Sequence, residues 1–233
     1  MNYDLETTSK SFPAATARTN SLVTSVYTWM CTALLLTGAT ATFVANTPSI
    51  AEAVLTNTIL FWGLIIAQLG LVFAISGRVD KFSLTTMSTL FMIYSVLTGI
   101  TFSVYFMIYT AGSIASTFFI TAGTFGAMSL YGYLTKADLT KLGNLCIMLL
   151  IGILIASIVN FFLKSEMLYW VVTYIGVAVF IGLIAYDTQK IKALSTLESN
   201  EHTQKLAILG ALTLYLDFIN LFIMLLRILG KRR

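Results

Sequence analysis

The sequence predicts an all-α integral membrane protein, a bundle of seven transmembrane helices. Of its 233 residues, 58% are hydrophobic and only 10% are charged, whereas an ordinary soluble domain carries about 25% charged residues. Several uncharged stretches reach or exceed the roughly 18 residues that distinguish a membrane-spanning helix from a buried helix of a soluble protein. A water-soluble fold is excluded because the chain lacks the polar surface to cover one.

Hydropathy divides the chain into a polar N-terminal tail, residues 1–21, and one membrane domain, residues 22–233. The domain contains seven apolar segments, each close to the roughly 20 residues that cross a bilayer. The predicted spans are 22–45, 55–76, 83–108, 113–134, 142–163, 167–187 and 206–229. No signal peptide is predicted at the start, because the tail is polar and the first apolar segment is long enough to stay in the membrane.

Short polar links separate these spans. Pro48 interrupts the chain after the first span, and charged clusters at 78–81, 135–138 and 164–166 separate later ones. Residues 82–135 include no charged residue and no histidine. That run must therefore hold two helices, and we expect a tight turn between them at 110–113.

The basic residues predict that the N-terminus lies in the cytoplasm. Nine of them fall on the N-terminal side of the membrane: Lys10, Arg18, Arg78, Lys81, Lys136, Lys141, Lys190, Lys192 and Lys205. Five fall on the opposite side: Lys164, Arg227, Lys231, Arg232 and Arg233. The last four favour the reverse orientation, but cytoplasmic loops carry the excess of Lys and Arg, so the larger count decides. The bilayer is the first partner that the composition implies.

Several kinds of site are excluded by composition. Cys31 and Cys146 both lie within predicted spans, where we expect packing residues rather than a disulfide. With His202 as the single histidine there is no zinc site, which also excludes hydrolases that bind zinc through several histidines. No cofactor is predicted. The net charge of +4 is spread over loops and the C-terminal tail, so nucleic-acid binding is not supported.

Small residues predict where helices approach closely. They repeat at three- and four-residue spacing in the second and fourth spans, at Gly63, Ala67, Gly70 and Ala74 and at Gly123 and Ala127. Such residues allow close backbone approach inside lipid. We therefore expect these faces to pack against other helices.

Two segments, "AYDTQK" at 185–190 and "LYLDFINLF" at 214–222, each place one aspartate in or beside an apolar run. Asp187 and Asp217 are equidistant in sequence from His202. If the last two spans form an antiparallel hairpin that turns within 198–203, the two carboxyl groups reach the same level. This requires the sixth helix to continue beyond its apolar part to about Leu197.

The seventh span carries a polar stripe that includes one of these aspartates. Gly210, Thr213, Asp217 and Asn220 fall within an arc of about 80°, and Arg227 continues the same face. Polar residues within the membrane face the interior of a bundle. The stripe therefore predicts that Asp217 points inward with Thr213 and Asn220 beside it.

Two aspartates at one level inside a membrane can form a pH-sensitive cation site. Closely spaced carboxylates resist simultaneous ionisation and share a proton. Their oxygens can also bind Ca²⁺, although weakly, since tight sites use about six to eight oxygens. Weak binding suits conduction, because the ion must leave again. The alternative is structural: Asp187 would lie at the interface as a helix-end residue, and Asp217 would hydrogen-bond a neighbouring helix.

Three segments resemble the bacterial branch of the Bax inhibitor 1 family of seven-helix membrane proteins. They are "TAGTFGAMSLYGYLTKADL" (121–139), "IVNFFLKSEMLYWVVTYIGVAVFIGLIAYDTQKIK" (158–192) and "ILGALTLYLDFINLFIMLLRILG" (208–230). The resemblance extends over nearly the whole chain from about residue 20 and implies six helices around a central seventh. It also implies a pH-dependent Ca²⁺ leak, in the bacterial inner membrane, controlled by Asp187 and Asp217.

The resemblance implies two further features. In the family's gating scheme an arginine of the second helix latches onto the sixth-helix aspartate. The second span here has no arginine in its apolar part, which leaves Arg78, at its end, as the candidate latch. Some bacterial relatives interact with a membrane-bound ATP-dependent protease, so such a protease is an expected partner.

Two alternatives to a cation leak remain at this stage. The first is a non-conducting regulator that binds another membrane protein. The second is an intramembrane aspartyl protease, since those enzymes also place aspartates on their sixth and seventh helices, the first after a tyrosine. However, they carry Gly-Xaa-Gly-Asp at the second aspartate, where this chain has 214–217 "LYLD", and a later Pro-Ala-Leu, whereas no proline follows Pro48. The sequence therefore favours a protein that is not an enzyme.

Overall fold

The structure is a computed structural model that describes residues 11–195 and 200–233, with side chains from residue 22 onward. Within those ranges the chain is a bundle of α-helices. They are α1 (Ser11–Ala45), α2 (Pro48–Thr56), α3 (Thr58–Gly77), α4 (Leu84–Ile108), α5 (Ala111–Leu134), α6 (Thr140–Leu163), α7 (Glu166–Leu194) and α8 (Glu201–Leu229). All except α2 contain a segment long and apolar enough to cross a membrane, which confirms the predicted seven-helix membrane bundle.

Most span edges lie within three residues of the predicted ones, and the exceptions are at the α7–α8 link. Helix α7 continues seven residues past the predicted end at 187, but it stops at Leu194 rather than near Leu197. Residues 196–199 lie outside the described residues. Helix α8 begins at Glu201, so part of the predicted turn is helical, because the Asn200 side chain caps it by accepting from the Thr203 amide at 2.9 Å.

The short helix α2 was not predicted. Pro48 was expected only to interrupt the chain, but it lies in the first turn of α2, where its missing N–H costs no hydrogen bond. Asn57 then ends α2 and caps α3 by accepting from the Leu60 amide at 3.0 Å. The second span consequently begins at Thr58 instead of residue 55.

The seventh span, α8, is the centre of the bundle. It has the largest buried share of any span and packs against α1, α4, α5 and α7. Helix α3 packs mainly against α4, and α6 packs mainly against α7, so these two lie further out. Tyr215, Leu214 and Leu221 of α8 are fully buried, as expected for a central helix that touches four neighbours.

The predicted small-residue contacts do not form among the residues that the structure describes. Gly63, Ala67 and Gly70 of α3 are exposed, and a Cβ added at Gly63, Gly70 or Gly123 would meet no heavy atom within 4 Å. Residue spacing shows which face permits a close approach, but it does not show which helix lies opposite. Close approaches occur instead at other glycines: Gly99, Gly132, Gly143 and Gly182.

Both cysteines are free thiols. Cys146 is buried as predicted, and its Sγ lies where a Cβ on Gly182 would be only 2.6 Å away. Cys31 is a free thiol, as predicted, but it is exposed and does not pack in the core of the described residues. It lies on an outward face of α1, which hydropathy alone does not distinguish from an inward one.

The last residues return to the α4–α5 turn. The Arg233 amide donates to the Ile108 carbonyl at 2.9 Å, and the Thr110 amide donates to the Lys231 carbonyl at 3.0 Å. The Lys231 amide also donates to Ser113 Oγ at 2.9 Å. These bonds fix the basic C-terminal segment at the end of the bundle opposite the N-terminal side.

Candidate site: a buried aspartate pair

The two aspartates singled out in the sequence meet between α7 and α8. Asp187 is 9% exposed and Asp217 is 5% exposed, and their carboxyl groups are hydrogen-bonded to each other. Within the described chain the other oxygen of Asp217, Oδ2, is buried without a hydrogen-bond partner. Because α7 continues to Leu194, Asp187 does not cap a helix end.

This geometry sets a minimum for the protons that the pair carries. An ionised carboxylate only accepts hydrogen bonds, so two carboxyl groups can bond to each other only when at least one of them is protonated. The charge that acts on Asp187 from outside the pair is that of Lys190, one turn further along α7 and exposed. The site is therefore a pair of carboxyl groups that holds at least one proton, with the cation Lys190 at its edge.

The rest of the "AYDTQK" segment positions α7 against α5 and α6. A Cβ on Gly132 of α5 would collide with the backbone carbonyl of Ala185, and a Cβ on Gly143 of α6 would lie 2.5 Å from the Tyr186 ring. These two glycines let the neighbouring helices approach on either side of Asp187. The short separation keeps the aspartate away from lipid.

Polar members of the same segment hold the α5–α6 link. Gln189 accepts from the Leu139 amide at 2.9 Å and donates to the Ala137 carbonyl at 2.8 Å. Lys192 donates to the Tyr133 carbonyl. We call these hydrogen bonds the clamp. Its partners on α5 and the α5–α6 link are all backbone groups, so the sequence does not reveal it. The only sequence signal was the run of polar residues inside an apolar span.

The α8 side of the site is anchored by Tyr215. Thr37 of α1 donates its one hydroxyl proton to the Ser95 carbonyl of α4 at 2.9 Å, so the Tyr215 hydroxyl is the donor in its 2.7 Å bond to Thr37 Oγ1. The Tyr215 ring lies edge-on to Phe91 and Tyr94 of α4. These contacts fix α8 against α1 and α4, two residues before Asp217.

The polar stripe of α8 is present but does not support Asp217 directly. Thr213 and Asn220 are half-buried, and their side chains donate to carbonyls of their own helix, those of Leu209 at 3.1 Å and Leu216 at 2.8 Å. Such bonds within one helix satisfy side chains that find no partner on a neighbour. The predicted supporting role of Thr213 and Asn220 stays a prediction.

The structure does not bring the candidate latch to the pair. Arg78 is exposed just after α3, and within the described residues it forms no ion pair, with Asp187 or with any other carboxylate. The described residues also contain no group of three or more His, Cys, Asp or Glu side chains able to hold a metal. Any Ca²⁺ at this site would be bound by Asp187 and Asp217 with other oxygens, as cargo.

Comparison with known proteins gives consistent matches over nearly the whole chain. The family model described as "Inhibitor of apoptosis-promoting Bax1" matches residues 19–233. The chain is 58% identical over 211 residues to the inner membrane protein YbhL of Escherichia coli K12, covering 89% of this chain and 90% of that protein. It is 46% identical over 216 residues to an uncharacterised protein of Borreliella burgdorferi, covering 92% and 93%.

A third relative, the uncharacterised protein RP147 of Rickettsia prowazekii, is 47% identical over 212 residues, covering 89% of this chain and 88% of its own length. The family model therefore covers all seven spans and both aspartate segments. The chain belongs to the Bax inhibitor 1 family of seven-helix membrane proteins.

Proposed function

We propose that this protein is a proton-sensitive cation leak pathway of the bacterial inner membrane, with Asp187 and Asp217 as its pH sensor and transient Ca²⁺ ligands. The observation that carries the proposal is the hydrogen-bonded carboxyl pair buried between α7 and α8. The inner-membrane location is inferred from the relative of that name. The site needs no resident metal or cofactor.

The free-energy cost of placing charge in a bilayer favours a functional role for the pair. An ionised side chain at the membrane centre costs from about 2.5 to more than 10 kcal/mol, and residues that carry this cost mark ion or proton pathways. A packing role would be served at lower cost by neutral hydrogen-bonding side chains. Replacement of the shared proton by Ca²⁺ neutralises the remaining negative charge of the two carboxylates, and two carboxylates bind the cation weakly enough to release it.

The test is Ca²⁺ flux into proteoliposomes of purified protein across about pH 5 to 8. We expect wild type to conduct with a pH-dependent rate and Asp217→Asn to lose the flux, because one ligand and the shared proton are removed. Asp80→Asn is the matched control: the same chemical change at an exposed aspartate, whose contact with His202 at 3.3 Å lies on the surface. Flux that is absent, or identical in wild type and Asp217→Asn, contradicts the proposal.

Protons and Ca²⁺ compete for the same carboxylates in this mechanism. We therefore expect the half-saturating Ca²⁺ concentration to be higher at about pH 5 than at about pH 8. In Asp187→Asn with transport retained, this dependence should be lost, which would assign Asp187 to sensing. If the half-saturating Ca²⁺ concentration of wild type is the same at both pH values, protons do not compete with Ca²⁺ and this mechanism is contradicted.

A second candidate function, a non-conducting regulator, is favoured by one observation. The small-residue face of α3 has no helix partner in the described ranges 11–195 and 200–233, and such faces bind other transmembrane helices. A membrane-bound ATP-dependent protease is the proposed partner. Loss of its co-purification in Gly63→Leu and Gly70→Leu, with binding retained in Gly152→Leu on α6, would support this role. Equal binding by all three would oppose it.

The hydrolase alternative is addressed by a cleavage assay on a single-span membrane substrate. The family description names no reaction, and we propose that the pair does not hydrolyse peptides. Product formation that is abolished by either Asp187→Asn or Asp217→Asn would overturn that statement.

A further inference from the structure

The end of the bundle opposite the N-terminal side contains a basic cavity that the cation pathway does not use. It has a volume of about 510 Å³ and lies where α6 ends, α7 begins and α8 ends. Three cationic side chains line it, those of Lys164, Arg227 and Arg232, together with one carboxylate, Glu166. All of these residues lie at or just beyond the ends of membrane-spanning helices, where a bilayer of ordinary thickness would place its headgroups.

The cations of this cavity have no anion of their own. Within the described residues, none of the three lies within ion-pair distance of a carboxylate. The half-buried guanidinium of Arg227 instead lies over the Tyr169 ring, 5.1 Å from its centroid, with Met224 Sδ at 3.9 Å. An arginine that is half-buried without a counter-ion at a membrane boundary is costly, and an anion from outside the chain would remove that cost.

Two further features match a phosphate group. The N-terminus of the 29-residue helix α7 opens beside Ser165 and Glu166 in the same cavity, and helix N-termini attract anions. Tyr169 and Trp170 also line the cavity, and aromatic rings of this kind are enriched at the headgroup level. A basic pocket between transmembrane helices with an aromatic rim is suited to a phospholipid headgroup.

From this geometry we infer that the cavity binds the phosphate of an anionic membrane phospholipid. Arg227 and Arg232 contact the phosphate oxygens, and Lys164 supplies further positive charge. Glu166 opposes a second anion and limits the site to one headgroup. The pinned C-terminal segment, held by the Arg233 and Lys231 backbone bonds to the α4–α5 turn, positions Arg232 for this contact.

The test measures which lipid stays on the purified full chain. The protein is placed in nanodiscs of phosphatidylcholine mixed with phosphatidylglycerol, and the retained lipid is identified by native mass spectrometry. We expect wild type to retain phosphatidylglycerol preferentially, and the double variant Lys164→Gln with Arg232→Gln to retain about tenfold less, since charge-assisted contacts are lost. Both substituted residues are exposed, so the variant is expected to fold.

Lys231→Gln is the matched control, because it removes one charge from the same exposed segment without lining the cavity. It should leave the preference unchanged. Equal retention of the two lipids by wild type, or the same loss in Lys231→Gln as in the double variant, would overturn the inference. Inorganic phosphate titrated into pure phosphatidylcholine discs forms a separate arm. Arginine-dependent phosphate binding without any lipid preference would assign the site to a soluble phosphate and overturn the inference that it binds a lipid.

Discussion

At the scale of single residues, the burial of the aspartate pair depends on two neighbouring glycines, which have no side chain. Gly132 and Gly143 bring α5 and α6 against α7 at Ala185 and Tyr186, directly before Asp187. No charged residue participates in either contact. The burial of Asp187 therefore follows from two missing side chains on other helices as much as from its own position.

Gly132→Ala should destabilise the protein. Its Cβ would collide with the Ala185 carbonyl, and because that atom belongs to backbone it cannot turn aside. We expect a loss of about 1–3 kcal/mol in the free energy of unfolding, measured as a lower midpoint of thermal unfolding in detergent.

Gly126→Ala on the same helix is the control for this change. A Cβ there meets nothing within 4 Å, and alanine favours a helix over glycine by up to about 1 kcal/mol. The control should be neutral or slightly stabilised. Equal destabilisation of both variants would show that the α5–α7 approach is not as close as described.

At the scale of helices, the sequence predicted where each helix begins and ends better than it predicted which way the faces of the helix point. Apolar length is a property of the segment itself, so the edges of α4, α5 and α6 were predicted within two residues. The sequence symmetry of Asp187 and Asp217 about residue 202 also predicted that the two carboxyl groups meet. Which way a face points depends on neighbours. The α3 glycines were predicted to pack against another helix, but the sequence did not indicate which one, and within the described residues no atom of another helix lies near them.

The clamp between α7 and the α5–α6 link was beyond sequence reasoning for the same reason. Gln189 bonds to backbone groups of Leu139 and Ala137, which any residue type would present. The attachment of the C-terminal segment is similar, since Arg233 and Lys231 bond to the α4–α5 turn mostly through main-chain atoms. Contacts of this kind require the folded helices before they can be recognised.

Gln189→Leu should loosen the α5–α6 link without unfolding the bundle. It removes the acceptor of the Leu139 amide and the donor to the Ala137 carbonyl, and each bond contributes about 1 kcal/mol. We expect the Leu139 amide to exchange with solvent roughly 5 to 30 times faster, measured by hydrogen–deuterium exchange in detergent or nanodiscs.

The control for the clamp is Gln204→Leu in the first turn of α8, at an exposed glutamine whose side chain has no hydrogen bond in the described chain. Exchange at Leu139 should not change there. Faster exchange across all of α6 in Gln189→Leu would indicate global destabilisation instead of a released link.

At the scale of the whole molecule, charge is distributed unequally between the two ends of the bundle. The sequence assigns nine basic residues to the N-terminal side of the membrane and five to the side of the C-terminal segment. The five at the second end are concentrated, since three of them line one cavity. We propose that the larger total sets the orientation and that the concentrated group serves binding, so the N-terminus lies in the cytoplasm.

Labelling with a membrane-impermeant maleimide tests this orientation. In a background of Cys31→Ser and Cys146→Ala, the variants Lys136→Cys and Lys164→Cys report on the two ends of α6, whose 24 residues extend about 36 Å and exceed the roughly 30 Å apolar core. Both positions are exposed. We expect Lys136→Cys to react only in inverted vesicles and Lys164→Cys only in spheroplasts. The reverse pattern would place the N-terminus outside, and both sites reacting in one preparation would contradict a spanning α6. Two controls are needed. The cysteine-free background must stay unlabelled, and both cysteines must react after detergent permeabilises the membrane. A missing signal in intact vesicles then shows that the cysteine lies on the inaccessible side of the bilayer.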